Sequence, residues 1–197
     1  MIWAAIAAAV AIPLLFAVTS PLLQWREPVY IAAGFSGVAS MGLLLVQPLL
    51  VGGFLPGVQG MTGRRAHRSV GVLLVAAVSL HVVGLWITSP PDVVDALLFM
   101  SPTPFSVWGV VAMWALFAAA ALGMLRKRMG TRLRLWRALH TGCVAVVVLG
   151  TVVHVLRIEG TMEPVSKAVL AGLILAALIR VLLARKVWSV FSVSRQG

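Results

Sequence analysis

Carboxylates are scarce in this chain of 197 residues, with five Asp and Glu against sixteen Lys and Arg. All five, Glu27, Asp92, Asp95, Glu159 and Glu163, fall between long apolar runs, so no intramembrane carboxylate marks an ion path. Cysteine is nearly missing too. Cys143 stands alone, which excludes an internal disulfide and leaves it a small apolar residue within a helix. No Lys or Arg precedes the first apolar run, so that segment lacks the charged start of a secretory signal and is expected to stay as a helix. Charged residues of both signs make up only 11% of the chain. A soluble domain is excluded by the remainder, 61% hydrophobic with mean hydropathy +1.04.

The apolar residues fall into runs long enough to cross a bilayer, which takes about 20 residues each. The fold class is therefore an all-α polytopic membrane protein, a six-helix bundle in a single domain over 1–197, with spans predicted at about 2–19, 29–52, 66–88, 106–125, 138–157 and 164–185. Pro13 and Pro48 predict kinks, tolerable where neighbouring helices re-satisfy the backbone. Between the third and fourth spans, prolines bracket an amphipathic stretch at 92–100 that suits a helical turn lying on the membrane surface. Gly130 is expected to end the fourth span.

Placing loops 53–65 and 126–137 and the C-terminal tail on one side gathers most of the basic charge. They are Arg64, Arg65, Arg68, Arg126, Lys127, Arg128, Arg132, Arg134, Arg137, Arg180, Arg185, Lys186 and Arg195, thirteen of the sixteen. Arg26, Arg157, Lys167 and every acid fall on the other side. The positive-inside rule then makes both termini cytoplasmic, in a bacterial inner membrane. Trp25, Tyr30, Trp86 and Trp108 sit at the outer interface, and Trp3, Trp136 and Trp188 at the inner one. Arg180 snorkels inward. The net charge of +11 reflects topology and contact with anionic lipid, with no nucleic acid required. The loop from Arg126 to Arg137 is either purely topogenic or a docking surface for an acidic cytoplasmic partner.

The four histidines carry the functional signal. His67 and His81 are separated by 14 residues, and so are His140 and His154. Fourteen helical steps end about 40° from where they began and rise about 21 Å. Each pair thus lies on one helical face with its members near opposite sides of a membrane. The third and fifth spans run in the same direction, so His67 falls level with His140, and His81 with His154. A single intramembrane histidine has the alternative of helix packing or an interfacial place, most readily for His67 and His140. The joint pattern predicts two metal sites with two imidazoles each.

Two protein ligands are too few for bare zinc or copper, whereas haem iron brings four porphyrin nitrogens and wants only axial partners. Without a Cys-x-x-Cys-His motif the group is non-covalent haem b, two per chain. Filled axial positions leave outer-sphere electron transfer as the chemistry. Arg64, Arg65, Arg68 and Arg137 on one side and Arg157 on the other could partner the propionates, and Gly71, Gly84, Gly142 and Gly150 could admit porphyrin faces.

Gly-Arg-Arg-Ala-His-Arg-Ser-Val-Gly at 63–71 with His81, then Arg-Lys-Arg-Met-Gly and Leu-Trp-Arg-Ala-Leu-His at 135–140 with His154, resemble the ferric-reductase-like transmembrane superfamily. That superfamily takes in ferric reductases, NADPH oxidases and the stand-alone haem subunit of the periplasmic methionine sulfoxide reductase system. The resemblance implies b haems between the third and fifth spans, on His67 with His140 and His81 with His154, and electrons moving outward from a cytoplasmic donor. Only Lys186 to Gly197 follow the last span, without a flavin and NAD(P)H module. The donor is then a separate flavin reductase or a quinol, and the acceptor a periplasmic redox protein, ferric chelate or oxygen. The chain would be the membrane component of an oxidoreductase. Two other readings stay open: a quinol-linked cytochrome of the b561 type, and a non-redox helical transport or assembly protein.

Overall fold

The computed structural model describes residues 1–130, 132–160 and 162–184. Arg185, Lys186, Trp188 and Arg195, assigned to the basic side above, lie outside them. The described elements are helices: α1 (Ile2–Val18), a 3₁₀ turn (Pro21–Leu23), α2 (Pro28–Gly52), α3 (Gly60–Thr88), α4 (Pro90–Leu97), α5 (Ser106–Leu125), α6 (Leu133–Arg157) and α7 (Pro164–Ala184). The third and fifth predicted spans are therefore α3 and α6, with the short α4 between them.

Five helices, α2, α3, α5, α6 and α7, are long and apolar enough to cross a membrane. The sixth expected span, α1, has 17 residues with Pro13 inside, and at about 1.5 Å per residue it falls short of a hydrocarbon core about 30 Å thick. It packs on α2 and α7. The Trp3 indole N–H donates to the Pro56 carbonyl at 3.2 Å, tying the start of α1 to the loop between α2 and α3.

Two boundaries move for one reason. α3 begins six residues before its predicted start and α6 five before, because the basic turns Gly60–Ala66 and Leu133–Arg137 continue the helices beyond their apolar stretch. Apolar periodicity sees only the part of a helix that faces lipid or core. At the other end of this connection α5 stops at Leu125, and Gly130, at φ 47°, turns the chain instead of capping the helix. Gly53, at φ 74°, does cap α2 in the left-handed conformation that glycine adopts without strain.

Sequence neighbours pair as antiparallel hairpins, α2 with α3 and α5 with α6. α7 packs on both α2 and α6, and α3 touches α5, so the five long helices close a ring in the order α3, α2, α7, α6, α5. The dense apolar core lies on one side of that ring, with Met41, Leu44 and Leu45 of α2, Val147 and Val148 of α6, and Leu170 and Ile174 of α7. α3 contributes Leu74 alone and α5 Leu116 alone. Elsewhere α3 turns Val72, Leu73, Leu80, Val83 and Ile87 outward, as a lipid-facing surface should.

Small residues set how closely the hairpins approach. A methyl on Gly84 of α3 would stand 2.7 Å from the Ala33 Cβ of α2, and one on Gly150 of α6 would stand 2.9 Å from the Trp108 carbonyl oxygen of α5. These two glycines, expected to admit porphyrin, instead let backbones meet. Gly71 faces the Gln47 side chain, and Gly142 has open space around it.

Candidate functional site

His67 and His140 are each the eighth residue of their helix, counting from Gly60 in α3 and Leu133 in α6. The shared phase carries over to His81 and His154 fourteen residues on. α3 and α6 are not neighbours in the ring, yet the His67 and His140 rings stand with centroids 6.5 Å apart and planes at 74°. The structure thus brings His67 and His140 ring to ring.

Every one of the four rings has its Nδ1 against a backbone carbonyl on the adjacent helix. His81 meets Ala33 at 2.8 Å and His67 meets Gln47 at 3.4 Å, both on α2. His154 meets Phe105 at 2.9 Å, at the start of α5, and His140 meets Ala119 of α5 at 3.1 Å. A carbonyl oxygen only accepts, so each Nδ1 carries the proton and donates. The second ring nitrogen, Nε2, then carries the lone pair that a metal would take. A metal-bound histidine characteristically gives its second N–H to a carbonyl or carboxylate, which fixes its tautomer and orientation.

The spacing also suits a shared iron. Metal to imidazole nitrogen bonds of about 2.0 Å, with about 1.1 Å more to each ring centre, put two opposed imidazoles about 6.2 Å apart. The inner-sequence pair stands at 6.5 Å. Among the described residues no group of three or more His, Cys, Asp or Glu could hold a bare metal ion. Two imidazoles per level match a porphyrin iron, which needs two axial ligands and nothing more from the protein.

The arginines are not drawn into these contacts. Arg68, Arg137 and Arg157 are exposed, as are Arg64 and Arg65. The Arg137 Nε–H donates to the Leu133 carbonyl of its own helix at 3.4 Å, turning the side chain toward the basic end of the bundle. Arg180 stacks over the Phe54 ring at 4.9 Å, which places its head at the α2–α3 loop and agrees with snorkelling toward that end.

Three features escape a reading of side-chain types. The acceptors are main-chain carbonyls, which leave no trace in composition. Trp136 lies parallel to His140, ring centres 5.2 Å apart and planes at 12°, and its N–H donates to the Leu122 carbonyl at 2.7 Å. The Arg126 guanidinium lies over the same indole at 5.3 Å. An aromatic one turn before a histidine carries that signal, and interfacial anchoring hides it. Gln47 is buried on α2 with its side-chain Oε1 unpaired, and its own main-chain carbonyl is the one that meets His67.

These helices define a multi-pass membrane protein with four imidazoles set on two of its helices, α3 and α6. Residues 33–151, more than half of the chain, match the family described as ferric reductase like transmembrane component, and the chain belongs to that family. The matched segment runs from α2 into α6 and takes in His67, His81 and His140, with His154 three residues beyond it. Comparison with curated proteins and with solved structures gave no match.

Proposed function

We propose that α3 and α6 hold two b-type haems, one between His67 and His140 and one between His81 and His154, and that the chain carries electrons across the membrane. The observation that supports this most is the common state of the four imidazoles, each anchored through Nδ1 to a main-chain carbonyl of its hairpin partner. Bound haem supplies a one-electron couple, tuned by its axial ligands and the polarity around it. The chain's own contribution is orientation and exclusion of water. The hairpin partners α2 and α5 fix each ring from behind, and the apolar flanks of α3, α5 and α6 keep the levels dry.

The two levels lie about 21 Å apart along the helices, one toward each end. The basic end bears Arg64, Arg65, Arg68 and the turn from Arg126 to Arg137, which suits an acidic donor such as a cytoplasmic flavin reductase; a quinol is the other donor class. With that end cytoplasmic, electrons leave at the acidic end toward a periplasmic redox protein or small acceptor. Arg68, Arg137 and Arg157, adjacent to the ligands in sequence, are the propionate partners in this reading.

Single histidine variants test it. Reduced-minus-oxidised spectra of membranes bearing His81→Ala should lose about half of the b-type signal, and His67→Ala the complementary half. A signal unchanged in both variants would overturn the assignment.

A further inference from the structure

Two of the carbonyls that hold the imidazoles share a feature in the sequence that follows them. The ring of His81 bonds the Ala33 carbonyl, and the residue four places on is Gly37; the ring of His154 bonds the Phe105 carbonyl, and four places on is Gly109. We propose that Gly37 and Gly109 are positioning residues: by lacking a side chain they open the helix surface of α2 and α5 so that the His81 and His154 rings can lie flat on it and aim at each other.

The reason is geometric. A helical side chain leans toward the N-terminus and covers the turn before its own Cα, so the residue at i+4 shields the carbonyl of residue i from approach. Glycine leaves that carbonyl most open to close approach. A methyl at Gly37 would stand 2.9 Å from His81 Nδ1 and 3.1 Å from its Cε1. At Gly109 the same methyl would stand 2.8 Å from His154 Nδ1 and 2.9 Å from its Cε1. Cβ atoms do not approach ring atoms so closely, and since the glycines are locked in helix backbone the rings must move.

The other two histidines supply the contrast. Val51 stands four places after Gln47, and the His67 contact there is the longest of the four at 3.4 Å. Gly123 stands four places after Ala119, but a methyl on it would meet nothing within 4 Å. The close cradle therefore belongs to the His81 and His154 level alone. That level is held on both sides by a bare helix turn, and the His67 and His140 level is not.

The spectroscopic arm of the test rests on the haem reading above; a second arm does not. Gly37→Ala and Gly109→Ala, purified as full chains in detergent, should each lose one haem of two. Where it is retained, they should shift the midpoint potential and the ferric electron-paramagnetic-resonance signature of one haem only. Gly34→Ala and Gly123→Ala, which meet open space, should match the parent chain. Unchanged haem content, potential and signature in both cradle variants would overturn the proposal.

The second arm is a double-mutant cycle on thermal unfolding. Gly37→Ala should lower the unfolding midpoint while His81 is present and have little effect in a His81→Ala background, where the ring it collides with is gone. An equal loss in both backgrounds, or a double variant that folds no better than Gly37→Ala, would overturn it. A parent chain without haem would defeat the haem reading and leave this arm standing.

Discussion

An imidazole buried in a helix bundle has two nitrogens to satisfy, and here one of them is settled by the protein in the same way four times over. That gives His67, His81, His140 and His154 the same tautomer, and makes them alike in kind though not in position. The types and spacing of these residues were legible in the sequence, because fourteen residues is close to a whole number of turns. The partners of their Nδ1 atoms were not, since any residue offers a carbonyl. Trp136 was read as an interfacial anchor, and its stacking on His140 became visible only once α6 was seen to start at Leu133. Outside the spans, Glu163 caps α7. Its carboxylate accepts from the Val165 and Ser166 N–H groups at 2.8 and 2.7 Å, and these bonds hold its pKa below the ordinary 4.5, the Ser166 bond foremost. A depressed carboxylate stabilises the fold above its unfolded pKa and loses that contribution as pH falls through the folded value. Thermal unfolding from pH 6 down to pH 3 should therefore show a decline below about pH 4.5 that Glu163→Gln flattens. A parallel decline in both proteins would remove Glu163 from the account.

Helices announced themselves through apolar length, and their ends through neither length nor charge. α3 and α6 run on into basic turns, where hydropathy falls but the backbone hydrogen bonds do not. α1 read as a span from composition alone, yet its 17 residues leave it packed on α2 and α7 without the reach of the other five. Close approach between helices was the least legible feature. Gly84 and Gly150 were assigned to cofactor space, whereas they join α3 to α2 and α6 to α5, and so bring His81 and His154 within reach of the Ala33 and Phe105 carbonyls. Gly84→Ala tests this joint. The added methyl would press on Ala33 Cβ from 2.7 Å, and overpacking of this kind costs about 1–3 kcal/mol. Unfolding in mixed micelles should register that loss, and the His81 level should be the one disturbed. A neutral outcome would mean that the α2–α3 joint is slack.

The ring of five long helices divides the molecule unequally. Its packed core joins α2, α6 and α7, while α3 and α5 contribute little to that core and spend their faces on lipid, on each other and on the histidine interior. Such a division suits a conduit, in which one side supplies stiffness and the other encloses a cofactor at two depths. The charge asymmetry makes the two ends unlike, with arginines crowded at the end nearer His67 and His140 and carboxylates at the end nearer His81 and His154. Membership of the ferric reductase like transmembrane component family fits that organisation. The central claim, four imidazoles gripping two irons, is tested most directly by quantifying haem in the purified full-length chain and recording its ferric low-temperature spectrum. The account predicts about two non-covalent haems per chain, both low-spin with two histidine ligands. A folded chain that binds no porphyrin, or one whose iron spectrum lacks histidine ligation, would contradict it.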